Sequence, residues 1–383
     1  MLQKIGNVAR DYAWGSRTLI SDYFGLPQSQ LPMAEIWYGT HPGSPAFLVD
    51  EPNKSLSEAL GGKQLSFLLK ILAADAPLSI QAHPNAEQAR LGFEAENAAG
   101  VPLNSSARNY KDDQHKPEVI VALTEFRALC GFKPLKQIEF FLADLAEHPA
   151  VSDGFRSMSK RWLDLLAEPN GLQKVFSDIL HRRGNLDGYN AELAALAENE
   201  AQFGLAEELN LQYPGDPGVV VAMLMNQVYL EPGQALFLPA GNIHAYLGGL
   251  GVEVMASSDN VLRGGLTTKH LDVDELEKVV DFVAGELPLV KPIEIANGLT
   301  SYPCEVDEFM LYRAELDGTV VLADLNLAGD CVALCTAGEI SISSSLDERI
   351  VIKRGEAAFL SADAKLFSLA GAGTAYLALG SVR

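Results

Sequence analysis

The sequence predicts a mainly β protein with an α-helical insertion, and three changes of pattern along the chain predict it. Up to about residue 132, short apolar runs alternate with turns rich in Gly and Pro, the mark of strands. Residues 135–211 shift to Ala, Leu, Glu and Asp, with apolar positions at helical spacing as in Ile138-Phe141-Leu142-Leu145 and Leu193-Leu196. The strand pattern returns at Gly218 and, after one further helix, the chain from about Pro292 onward reads as all β.

Taken in order, residues 55–60 and 64–72 read as short helices within the first β stretch. Four or so helices fill residues 135–211. A further helix spans residues 272–282, where Asp272 and Glu275 stand three apart, the spacing of a capping box. The segments 232–240 and 354–362 resemble each other, each a Gly turn running into an apolar strand, so two related β units are expected. The second copy has no histidine where His244 follows the first, and it is assigned a structural role. The expected division is a catalytic unit of residues 1–134 plus 212–291, a helical unit of 135–211 and a C-terminal β unit of 292–383.

Composition narrows the function. With 383 residues, 48% hydrophobic and 21% charged, the chain can bury a sizeable core. A net charge of −21 and a pI near 4.7 argue against nucleic acid and anionic membranes as partners, since both reward a basic face. The opening residues lack the apolar core of a signal peptide, and the best apolar run, residues 219–225, is far too short to span a bilayer. A cytoplasmic protein, monomeric or weakly dimeric, is expected. The four cysteines, Cys130, Cys304, Cys331 and Cys335, show no paired ligand spacing and read as reduced packing residues.

The chemistry concentrates in three segments. Gln81 and His83 are two apart, so on a strand both point to one face. In His115-Lys116-Pro117-Glu118 the same period puts Lys116 and Glu118 on a common face and turns His115 away. The third segment, Ile243-His244-Ala245-Tyr246-Leu247, follows a turn at residues 239–242. If Gly248-Gly249 closes a hairpin, His244 faces Glu253 across it, and Glu253 becomes a partner of the imidazole or a proton acceptor. Two imidazoles, one carboxylate and one amide, with no thiolate, suit zinc or another borderline divalent ion in an exchangeable site. The expected ligands are Gln81, His83, Glu118 and His244. Lys116 can supply positive charge or shuttle a proton. In the polar stretch from Ser257 to Gly265, Arg263 is the candidate clamp for a phosphate or a developing oxyanion, with Lys269 adding charge. Tyr246 and Asp259 are expected substrate contacts.

These residues resemble a known family, the type I mannose-6-phosphate isomerases. The likeness runs through Tyr12-Ala13-Trp14-Gly15-Ser16, Ala34-Glu35-Ile36-Trp37-Tyr38-Gly39-Thr40-His41-Pro42, Leu78-Ser79-Ile80-Gln81-Ala82-His83-Pro84-Asn85, Tyr110-Lys111-Asp112-Asp113, His115-Lys116-Pro117-Glu118 and residues 251–260. It implies a cupin-like jelly-roll barrel carrying the site, an inserted helical domain and a second C-terminal β-barrel. It implies zinc on Gln81, His83, Glu118 and His244, an essential arginine at Arg263, and substrate phosphate held near Ser79 and Lys269. The implied reaction interconverts mannose 6-phosphate and fructose 6-phosphate through an enediolate. Glu253 is favoured as the base, with Lys116 or His115 as alternatives. Two rival readings share the barrel: an iron oxygenase on two histidines and a carboxylate, and a non-enzymatic sugar-binding protein. The amide ligand and the Arg263/Lys269 pair favour the phosphorylated hexose.

Overall fold

A single strand, His244–Ala256, organises the part of the molecule that carries these residues. The computed structural model describes residues 1–182, 185–285, 287–326 and 329–380, so the end of the expected C-terminal unit, residues 381–383, lies outside the described residues. The first residues of the long strand pair antiparallel with Ile80–Ala82 on one side and Phe126–Phe132 on the other. Beyond Gly248-Gly249 it pairs instead with Phe67–Ala74 and Glu118–Ala122. One strand thus serves two sets of neighbours, with a register shift between Tyr246 and Gly248 where the partners change.

That continuity corrects the expected hairpin. Gly249 has a φ of 118°, and a Cβ on it would stand 2.5 Å from the Glu125 carbonyl oxygen and 2.8 Å from the Phe126 Cα. The glycine admits a neighbouring strand at close range and does not turn the chain. Glu253 consequently lies opposite Lys70 and Ile120, and His244 lies opposite Gln81 and Cys130.

Two other segments differ from expectation for one shared reason. Residues 64–72, read as a helix, contribute to the strand Phe67–Ala74, in which every residue is buried. The strand pattern expected from Gly218 is preceded by the helix Gly218–Leu224, also buried throughout. An element buried on all sides shows neither a period of two nor of 3.6, so its type is not legible from apolar spacing. A helix the pattern did not announce, Ala86–Ala98, follows His83; Asn85 and Gln88 cap it reciprocally. The helix expected over 272–282 is shorter, Val273–Val279, and the Asp272 side chain accepts from the Glu275 amide as the spacing suggested.

The helical stretch comprises, among the described residues, Leu135–Glu147, Asp153–Leu166, Gly171–Leu180, Asp187–Ala195 and Gly204–Gln212. Its core, built on Trp162, Phe176 and Phe203, is continuous with Ile80 and Ala82, which flank Gln81, with Ile243, which precedes His244, and with Leu262, which precedes Arg263. The helices therefore back the site rather than hang from it.

Among the described residues, the strands from Ile293 onward form an eleven-stranded antiparallel sheet with three from the N-terminal part of the chain, among them Leu2–Gly6, paired with Ala357–Leu360. The repeat seen in the sequence is real in three dimensions. Gly233 and Gly355 both have a φ of 88°, and each turn delivers a four-residue strand, Ala235–Leu238 and Ala357–Leu360. All four cysteines are free. Among the described residues no helix is long and apolar enough to cross a membrane.

Candidate metal centre

Strand pairing sets a row of three side chains before any ligand is considered. Arg263 on Leu262–Gly265 lies opposite Gln81, and Gln81 lies opposite His244. Residues paired directly across strands share a face of the sheet. His83 follows two residues after Gln81, and Glu118 enters from the start of its own strand, opposite Met255.

The two imidazoles and the carboxylate converge. His83 and His244 have ring centroids 5.1 Å apart. The Glu118 oxygens stand 3.5 Å from His83 Nε2 and 3.5 Å from His244 Nε2. The three ligand atoms lie within 4.8 Å of one another, and all three residues are buried. Gln81 Nε2 is 3.3 Å from His244 Nε2, and a half-turn of the amide would offer its oxygen at the same place.

Protonation fits a cation. His83 Nδ1 sits 2.7 Å from the Asn260 carbonyl oxygen and His244 Nδ1 sits 3.1 Å from that of Asn242. A carbonyl only accepts, so each ring carries its proton on Nδ1 and leaves a lone pair on Nε2. His83 Nε2 and Glu118 Oε2 are buried without a hydrogen-bond partner, a costly state that a bound cation relieves. Burial first, and then the Lys116 charge, push His83 down to about 4 against the pull of Glu118. Burial would raise Glu118, but Lys116 and the imidazoles outweigh it and hold the carboxyl well below the usual range. A neutral imidazole beside an ionised carboxylate is the donor set a divalent metal takes. Lys116 Nζ is 3.0 Å from Glu118 Oε1 and buried.

A second charged cluster adjoins the first. Lys70 Nζ lies 2.8 Å from Glu253 and 3.6 Å from Glu35. The Tyr246 hydroxyl donates to the other Glu253 oxygen at 2.9 Å, and Trp37 Nε1 donates to Glu35 at 2.9 Å. Burial disfavours the Lys70 charge, but Glu253, Glu35 and Glu118 outweigh it and raise its pKa. Burial raises Glu253 too; Lys70 opposes this, and the carboxylates of Glu118 and Glu35 add to it. Both shifts have one origin: several carboxylates crowd one ammonium in a dry site. A cavity of 180 Å³ joins the clusters, lined among others by Gln81, Lys116, Glu118, Tyr246, Glu253 and Asp259.

Of the residues singled out by sequence, Arg263 is half-buried, and burial lowers its pKa. Lys269 is lowered by burial and by the charge of Arg263, which places the two cations in one field. Ser79 immediately precedes the strand that carries Gln81. Asp259 is exposed, 3.4 Å from His41 Nε2. His115 turns away to Glu308 at 2.8 Å. Sequence reasoning missed Lys70 and Glu35. The signal was there: a lysine inside Phe67-Leu68-Leu69-Lys70-Ile71-Leu72, an otherwise unbroken apolar run, needs a buried partner. Trp37 also lines the cavity, with Lys70 Nζ 5.2 Å from its ring centroid.

Comparison with known proteins gives the family. The family model for the type I phosphomannose isomerase catalytic domain matches residues 2–135. The mannose-6-phosphate isomerase of Salmonella typhimurium is 36% identical over 401 residues, covering 97% of this chain and 98% of that protein. That of Escherichia coli is 35% identical over 399 residues, with 97% and 98% covered. A crystal structure of mannose 6-phosphate isomerase bound with zinc and yttrium superposes with a TM-score of 0.89 at 34% identity, covering 99% of each chain. The Salmonella typhimurium enzyme bound to fructose 6-phosphate and zinc superposes with a TM-score of 0.88 at 34% identity over 99% of each chain. Likeness of this extent, along nearly the whole length of the chain, means that the chain belongs to the type I mannose-6-phosphate isomerases.

Proposed function

We infer that this protein is a metal-dependent aldose–ketose isomerase that interconverts mannose 6-phosphate and fructose 6-phosphate. The observation that carries the reading is the convergence of His83, Glu118 and His244 on one point beside a polar cavity. Gln81, His83, Glu118 and His244 would hold zinc. Bound there, zinc supplies a Lewis acid that stabilises negative charge on the substrate's O1 and O2 without itself moving protons.

The chain's own residues do the rest. The C2 proton of the open-chain sugar is weakly acidic, so its removal needs a base and a counter-charge for the enediolate. Glu253 is proposed as the base that takes the proton from C2 and returns it to C1. Burial raises its pKa, which brings a carboxylate towards the strength a proton shuttle needs near neutral pH. Tyr246 and Lys70 fix its two oxygens. Lys116 is the first alternative base, and His115, which meets Glu308 at 2.8 Å, is the second. Arg263, in the row with Gln81 and His244, offers its guanidinium to the developing oxyanion. Ser79 and Lys269 are assigned to the substrate phosphate, with Asp259 at the mouth, and binding that remote group orients the reacting carbons. These residues all fall in segments 1–134 and 212–291, which supports treating those segments as a catalytic unit with a cupin-type jelly roll.

Incubating the purified protein with mannose 6-phosphate, with and without a chelator, tests the reading. Fructose 6-phosphate should form and chelation should stop it. No product with any divalent metal removes the proposal, and oxygen uptake by the iron-loaded protein would point to the oxygenase instead.

A further inference from the structure

The helical stretch returns to the sheet through Tyr213-Pro214-Gly215-Asp216-Pro217-Gly218, and this segment grips both stretches assigned above to phosphate binding. The Tyr213 hydroxyl donates to the Pro77 carbonyl at 3.0 Å, two residues before Ser79. Asp216 Oδ1 accepts from the amides of Gly218 and Leu266, each at 2.7 Å, and Oδ2 accepts from the Thr267 amide at 3.4 Å. Those last two amides belong to the turn that leads from Arg263 to Lys269. The Thr267 hydroxyl then accepts from the Lys269 amide at 3.1 Å.

The turn is one the chain does not adopt unaided. Gly265 has a φ of 128° and Leu266 a φ of 52°, left-handed values that an L side chain takes only when its surroundings impose them. This segment supplies part of those surroundings, beside the pairing of Gly265 with Ile80 and the core around Leu266. A Cβ on Gly265 would stand 2.4 Å from the Gly218 Cα, so the two glycines meet backbone to backbone. Asp216 is itself buried, and its carbonyl accepts from Asn190 Nδ2 at 2.9 Å on the helix Asp187–Ala195. The helical stretch thus reaches the turn through Asp216 and through the Gly218–Gly265 contact.

We propose that Asp216 is a positioning residue for the isomerase: it holds the turn at residues 265–267, left-handed at Gly265 and Leu266, and thereby sets Lys269 against the substrate phosphate, while Tyr213 braces the chain at Pro77 just before Ser79. The inference rests on the assignment of Ser79 and Lys269 to phosphate. Arg263 is fixed separately, by strand pairing with Gln81, so the effect falls on substrate binding more than on the proton transfer. Without the carboxylate, buried amides lose their acceptor and the turn relaxes toward the extended region.

The test is steady-state kinetics on zinc-loaded full-length protein for Asp216→Asn, Asp216→Ala, Tyr213→Phe, Lys269→Ala and the Asp216→Asn/Lys269→Ala double variant, with inorganic phosphate as competing inhibitor. Asp216→Ala should raise both KM for mannose 6-phosphate and the inhibition constant of phosphate by about tenfold, with kcat and zinc content nearly unchanged. Asp216→Asn and Tyr213→Phe should do the same more weakly, and they carry the test if Asp216→Ala does not fold. In the Lys269→Ala background Asp216→Asn should add little, because both act on one contact. A fall in kcat or zinc content with KM unchanged overturns the inference, as do effects of the two substitutions that simply multiply. An active wild type, a Lys269→Ala variant with raised KM and an Asp216→Asn variant with wild-type KM overturn it alone. A wild type without turnover removes the isomerase reading first.

Discussion

Removing the metal should expose an acid weakness at His83. The ring is 0% exposed and its Nδ1 proton is committed to the Asn260 carbonyl. Burial and the neighbouring Lys116 therefore hold it down at about 4 in the metal-free fold, against about 6.5 for a free imidazole. Between those values the unfolded chain binds a proton that the folded chain refuses. The contribution of His83 to stability is complete above pH 6.5 and is lost as pH falls through the window toward 4. Over the full window that loss is about 3 kcal/mol, a large share of the roughly 5–15 kcal/mol that holds a domain folded. With zinc bound, the Nε2 lone pair is occupied and the weakness should shrink, since metal and proton compete for one site. Urea unfolding of chelated protein in steps from pH 7 to 4, for wild type and His83→Asn, measures the difference. The wild type should lose about 3 kcal/mol more than the variant over that range. Parallel loss in the two proteins refutes the reasoning, as does a ring that protonates near pH 6 by NMR in the metal-free protein.

Arg263→Lys keeps the charge but loses the planar fork, so kcat should fall by about 10²–10³ with zinc content unchanged; wild-type turnover would show that the guanidinium is not used. Glu253→Gln preserves shape while removing the base, and kcat should drop by about 10²–10⁴; a variant with full kcat shifts the base to Lys116. Gly218→Ala would drive a Cβ to 2.5 Å from the Leu266 amide nitrogen, and thermal unfolding should report a loss of about 1–3 kcal/mol. An unchanged melting temperature would contradict the close backbone approach at Gly265.

What was legible in the residues was local. The period of two put Gln81 beside His83 and Lys116 beside Glu118, and the structure keeps Lys116 at 3.0 Å from Glu118. The turn chemistry at Gly233 and Gly355 announced two like strands, and both glycines adopt the same φ. Composition marked out the helical stretch because amphipathic helices keep an apolar face at 3.6-residue spacing. Chemical inventory, two imidazoles with a carboxylate and an amide, pointed to a metal before any geometry was known.

Long-range pairing was decided elsewhere. Gly248-Gly249 looks like a hairpin turn by composition, yet Phe126 and the Glu125 carbonyl lie against it, and the strand runs straight through. That single difference moves Glu253 from His244 to Lys70 and joins it to Glu35, a residue more than two hundred positions away in the chain. Fully buried runs such as Phe67–Ala74 and Gly218–Leu224 carry no period because every face meets protein. Side-chain chemistry and local periodicity are written residue by residue. Which segments meet is a property of the packed whole, because a neighbour supplied from a distant stretch leaves no mark on the spacing of the residues it will touch.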